Sequence, residues 1–179
     1  MSNTATAAVT VYAYESGGDV IVSGGGRFDL TNLTVDGNGH TGSSLNPSLA
    51  TFQVGDGFGE SYRVLSGPAE FGPGILLLAD SSSGDLFGVL RNGATEPVLV
   101  VPRLYSSGEL LQATATYSGQ SFHSLALTPG DYVWSWGSGD HADSLTLKIG
   151  EQVPEPSTAM LTGMLTLFGV SVVRRRAKG

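Results

Sequence analysis

Apolar and polar residues alternate over short stretches along most of the chain, and glycine, serine, aspartate and proline separate the stretches. Val9, Val11 and Ala13 alternate with Thr10, Tyr12 and Tyr14, the two-residue period of a half-buried strand. Val20–Val22, Arg27–Leu33, Thr51–Val54, Ser61–Leu65, Leu86–Leu90, Val98–Val101, Thr114–Tyr117, Tyr132–Trp136 and Ser144–Ile149 continue the series as strand candidates. Ile75–Leu78 is a continuous apolar run, which predicts a strand buried on both faces. Before residue 156 no window keeps a 3.6-residue period over three turns, and the best helical fragment, Glu109–Thr114, is short. Residues 1–150 therefore read as one all-β domain, an antiparallel sandwich or a partly closed barrel. The pattern shows no fixed internal repeat and does not specify strand order.

Leu127 to Gly139 carries more detail. Pro129-Gly130 predicts a turn, with Pro favoured at its second position and Gly at its third. A strand follows in which Tyr132, Trp134 and Trp136 share one face, and Gly137 and Gly139 end it. Three aromatics on one strand face have two readings. They stack against the apolar faces of sugar rings, as in a carbohydrate-binding module, or they pack the core.

The alternation stops at Ile149. Residues 151–156 read as a linker, with prolines at 154 and 156 that suit extended chain or a helix start. Residues 157–173 then run without a charge and predict one C-terminal transmembrane helix. At 17 residues it would be about 25 Å long, short of a hydrocarbon core of about 30 Å. Residues 174–179 are a basic tail holding Arg174, Arg175, Arg176 and Lys178.

Charge follows the same division. The net charge is −7 overall. Up to residue 156, five basic residues against all sixteen acids leave −11, and the remainder carries +4. So acidic a body repels phosphate, which excludes it as a nucleic-acid binder. The basic tail, placed directly after the apolar run, suits a cytoplasmic membrane flank, with the acidic domain across the membrane.

Pro154-Glu155-Pro156, the apolar run and the terminal arginines, in that order, closely resemble the PEP-CTERM sorting signal of Gram-negative bacteria. The resemblance implies export, transient anchoring in the inner membrane with the domain on the periplasmic side, and recognition of Pro154, Glu155 and Pro156 by an exosortase. The destination it implies is the cell surface or the extracellular matrix. The body also resembles short proteins carrying that signal, through Glu15 to Val20, the Thr-Pro-Gly turn, the aromatic strand and the closing Asp143-Ser144-Leu145-Thr146 strand. That group supplies no activity to carry over.

Export predicts an N-terminal signal peptide, with a basic start and an apolar stretch. Residues 1–18 have neither, although Ala5 to Ala8 look like a cleavage region. The expectation is a signal peptide encoded upstream of Met1.

Composition removes several chemistries. Cysteine is absent, which excludes disulfides, thiol nucleophiles and Cys-ligated zinc. Glycine reaches 26 of 179 residues, so Gly37-x-Gly39-x-x-Gly42, with no following helix, reads as a turn and not as a dinucleotide loop. There is no Gly-x-Ser-x-Gly elbow and no His-Glu-x-x-His. Asp140-His141-Ala142-Asp143 offers carboxylates and an imidazole, but without distant partners a solvated turn is the preferred reading. Asp36-Gly37-Asn38-Gly39-His40 has oxygen ligands at a calcium-like spacing and fails the EF-hand pattern at Thr41 and Pro47. No catalytic residue, metal or cofactor is assigned. The expected function is that of an exported, non-enzymatic surface or matrix protein. Its expected partners are an exosortase, the inner membrane and extracellular polysaccharide. The alternatives are a carbohydrate-binding module using Tyr132, Trp134 and Trp136, or a glycan hydrolase acting through unassigned carboxylates.

Overall fold

A computed structural model describes residues 8–63, 66–91 and 96–150. They form an all-β structure of two sheets. The expected linker, transmembrane helix and basic tail over 151–179 lie outside the described residues, as do Ala5 to Ala7 and Val64–Leu65 of the Ser61–Leu65 candidate. Among the described residues no helix is long and apolar enough to cross a membrane.

The first sheet grows from a hairpin. In β1 (Ala8–Ser16) Val9, Val11 and Ala13 are buried, and in β2 (Asp19–Gly26) Val20 and Val22 are buried. Gly17 and Gly18, both at positive φ (64° and 93°), supply the tight turn between them. β2 then pairs antiparallel with β11 (Leu111–Tyr117), which pairs with β8 (Ser81–Gly84). On its other side β1 pairs with β13 (Asp143–Ile149), which pairs with β12 (Gly130–Trp136). The order is β12-β13-β1-β2-β11-β8. The pairing of β1 with β13 is parallel, a departure from the expected all-antiparallel arrangement. The two strands come from opposite ends of the domain, so no hairpin forces them antiparallel. Their register sets Val9, Val11 and Ala13 beside Leu145, Leu147 and Ile149, which aligns two buried rows.

The second sheet comprises β3 (Val35–Thr41), β4 (Ser44–Asn46), β5 (Thr51–Val54), β6 (Gly57–Arg63), β7 (Leu77–Leu78), β9 (Phe87–Leu90) and β10 (Val98–Pro102). Its order is β3-β6-β10-β9-β5-β4-β7. The two sheets meet across one core. Phe52 of β5 packs on Trp134 of β12 at 5.4 Å between ring centroids, and Phe87 and Trp136 both pack on Phe28.

Several expectations are corrected. Arg27–Leu33 is not a strand but the crossover from the first sheet to the second, with Asn32 at φ 66°. Four successive backbone N–H groups there are held by side chains. Phe28 donates to the Tyr105 hydroxyl, Asp29 to Asp143, Leu30 to Ser107 Oγ and Thr31 to Asp29. Buried backbone donors need partners, and side chains replace the missing ladder. Ile75–Leu78 is exposed, and only Leu77 and Leu78 pair, at the sheet edge with β4. The helical fragment Glu109–Thr114 is largely strand β11. Gly37 and Gly39 lie in strand β3, not in a turn. The chain turns at 122–126, ahead of Pro129, and Gly130 opens β12.

Candidate functional site

Among the described residues the structure offers three places where sequence features come together: the aromatic strand, the turn at 139–143 and the outer face of the second sheet.

β12 alternates as the pattern predicts, and the face shared by its aromatics is the core face. Trp134 and Trp136 are buried, and Tyr132 is partly buried against the core. Trp136 donates its indole N–H to the carbonyl of Asp29 at 2.9 Å, and Tyr132 donates its hydroxyl to the carbonyl of Thr128. Tyr132 packs on Phe71 at 5.7 Å. The carbohydrate-stacking reading of Tyr132, Trp134 and Trp136 needs an open ring face. The indoles are covered on both sides, so the strand serves the core.

The Asp140-His141-Ala142-Asp143 segment does have a distant partner, which its local sequence did not indicate. A short 3-10 turn at Gly139–His141 aims His141 at Asp29, with Nδ1 2.8 Å from Oδ2. Asp143, only 4% exposed, accepts the backbone N–H of Asp29 at 2.7 Å and that of Ser144 at 2.6 Å. Asp29 also accepts the Thr31 N–H at 2.8 Å. The two carboxyls are held in opposite senses. Bonds from the Thr31 hydroxyl, from His141 and from the Thr31 amide hold Asp29 down at about 2. Burial lifts Asp143 to about 6, against the pull of its two N–H donors, and the charge of Asp29 adds to the rise. The oxygens of this trio are spent on backbone donors and on His141. Among the described residues no group of three or more His, Asp or Glu is placed to hold a metal ion. Its chemistry is that of a latch fastening the 27–34 crossover to the end of β12.

The third place is a groove of about 880 Å³ on the solvent side of the second sheet. Val98, Val100 and Leu90 line its apolar part, Asp36, Glu60, Glu96 and Arg63 supply charge, and His40 adds an imidazole. Gly59 makes room beneath it: a Cβ there would stand 2.8 Å from Val100 Cγ1. Asp36 and His40, the ends of the calcium-like segment, do not converge. Asp36 is paired with Arg63 Nη2 at 2.7 Å, and His40 faces Asp56 at 3.3 Å. The linear pattern singled out one wall of this groove, Asp36 to His40 on β3; the rest comes from β6, β9, β10 and Glu96, which only the sheet brings beside it.

Pro154, Glu155, Pro156, Arg174, Arg175, Arg176 and Lys178 lie outside the described residues. All of them but Lys178 fall within the stretch that a sequence comparison matches. Residues 152–176 match the family model of the PEP-CTERM protein-sorting motif. Comparisons with curated proteins and with solved structures find no match.

Proposed function

We propose that this chain is an exported surface protein whose β domain is delivered by an exosortase through its C-terminal tail. The observation that carries the reading is the sorting-motif match over residues 152–176. Pro154, Glu155 and Pro156 are the residues the sorting enzyme reads. The run 157–173 crosses the inner membrane transiently, and Arg174, Arg175, Arg176 and Lys178 hold its end in the cytoplasm. The division of charge, −11 before residue 157 and +4 after it, supports that orientation. The domain it delivers is structural or ligand-binding, not catalytic: its most perturbed carboxyls, Asp29 and Asp143, hold backbone N–H groups. Extracellular polysaccharide is the partner proposed for the delivered domain, with the outer groove, apolar at Val98 and Val100 and polar at its margins, as its seat.

The test is the intact mass of the protein recovered from its host envelope, beside a variant lacking Pro154–Lys178. Loss of mass near the Pro-Glu-Pro triplet, and redistribution of the truncated chain away from the membrane, are expected. Unchanged fractionation of the truncated chain would refute the sorting role.

A further inference from the structure

Four consecutive aliphatic side chains, Ile75, Leu76, Leu77 and Leu78, are 81%, 57%, 37% and 67% exposed. A soluble domain seldom displays such a run unless something covers it. The strap that carries it is firmly held. Ser48 N–H donates to the Gly74 carbonyl at 3.0 Å, Ala79 N–H to Ser43 at 3.0 Å and Asp80 N–H to Thr116 at 2.9 Å. At Gly74 the backbone lies so close to the Leu125 carbonyl that a Cβ would stand 2.2 Å from it. The aliphatics are presented in place by a fixed backbone.

Their position in the fold identifies the cover. The strap lies against the 121–129 segment, where Thr128 N–H donates to the Phe71 carbonyl at 2.9 Å. The same segment leads into Gly130, which pairs with Ile149, the last residue of β13. Gly150 sits beside Pro129, and its N–H donates to Ala13 at 2.9 Å. The apolar run thus lies at the end of the domain where the chain leaves for its tail. Only residues 151–156 separate Gly150 from the uncharged stretch at 157–173, a reach on the order of 20 Å when extended.

We infer that Ile75, Leu76 and Leu78 form a lipid-contact edge, by which the tethered domain rests on the bilayer surface that its own tail enters. This rests on the anchoring reading above and adds to it a seat for the domain. The lipid is specified by charge. From Ser66 to Leu90 the chain carries Glu70, Asp80 and Asp85 and no Lys, Arg or His. The contact is therefore hydrophobic insertion into a zwitterionic surface, and anionic headgroups oppose it. A second copy is the poorer occupant, because β7 offers only two ladder residues as a pairing template.

The chain has no cysteine, which makes single labelling sites clean. Full-length Leu76→Cys, Asn38→Cys and Thr162→Cys, each carrying an environment-sensitive fluorophore, are reconstituted with phosphatidylethanolamine–phosphatidylcholine vesicles containing quencher-bearing acyl chains. The expected result is a blue shift and quenching at 76 and at 162 and neither at 38, with the effect at 76 declining as anionic lipid is added. Quenching at 162 with an aqueous signal at 76 would overturn the lipid edge and leave the anchor standing. An aqueous signal at both would overturn the two together. A blue shift at 76 that grows with protein concentration without lipid would assign the edge to a second copy instead.

Discussion

A carboxylate oxygen of Asp143 lies 2.7 Å from the backbone nitrogen of Asp29, although 114 residues separate them in the chain. Asp29 in turn holds His141 and the amide of Thr31. One trio thereby fastens the crossover between the sheets to the junction of β12 and β13, directly over Trp136, whose indole donates to the Asp29 carbonyl.

The trio has a pH signature. Asp29 is held below its usual value of 3.8, at about 2, so the native state releases that proton first and stability rises between pH 2 and pH 4. Asp143 is raised from 3.8 to about 6, so the native state keeps a proton that the unfolded chain has lost. Stability from this group is present below about pH 4 and is lost as pH rises toward 6. The loss that accompanies such a rise is roughly 2–3 kcal/mol. Urea unfolding from pH 3 to pH 7 should show the decline in wild type and a flatter profile in Asp143→Asn. Parallel profiles would show that Asp143 is not the group responsible.

Tyr105 is a second fastening of the same crossover. Its hydroxyl lies 2.9 Å from the backbone nitrogen of buried Phe28 and donates to the Glu109 carbonyl at 2.8 Å. Tyr105→Phe leaves the Phe28 N–H without that partner, at an expected cost of about 1–3 kcal/mol. Equilibrium unfolding should show a lower midpoint with an unchanged denaturant slope.

Gly67 touches the core through its missing side chain. A Cβ there would stand 2.1 Å from Trp134 Cδ1. Gly67→Ala should therefore force the buried indole to shift, at about 1–3 kcal/mol. The measurement is a lower melting temperature together with an altered near-ultraviolet circular dichroism signal from Trp134.

Both tryptophans are buried, so iodide should quench little of the native emission and quench strongly after unfolding. Adding oligosaccharides should leave the tryptophan emission unchanged, since no indole face is open to a sugar ring. A saturable shift would return the aromatic strand to consideration as a binding face.

What depends on local pattern and on short linear motifs is legible in the chain before it folds. The two-residue period of Val9–Ala13, Tyr132–Trp136 and Ser144–Ile149 needs no distant information, because successive strand side chains alternate between faces wherever the strand goes. The sorting motif over 152–176 is likewise read from contiguous residues. Assembly of the two sheets settles which face becomes core and what the irregular segments do. The pattern of β12 aligned two tryptophans, and packing on Phe28 and Phe52 turned them inward. Ser81–Gly84, wholly polar and exposed, is a strand because β11 supplies its hydrogen-bond partners. Arg27–Leu33 has the alternation of a strand and none of its ladder, because Tyr105, Ser107 and Asp143 take its amides first. Ile75–Leu78 has the composition of a buried strand and lies exposed at an edge, because burial depends on which neighbours the topology provides. Partners from across the chain carry no trace in the local pattern, so these outcomes became legible only once the two sheets were assembled.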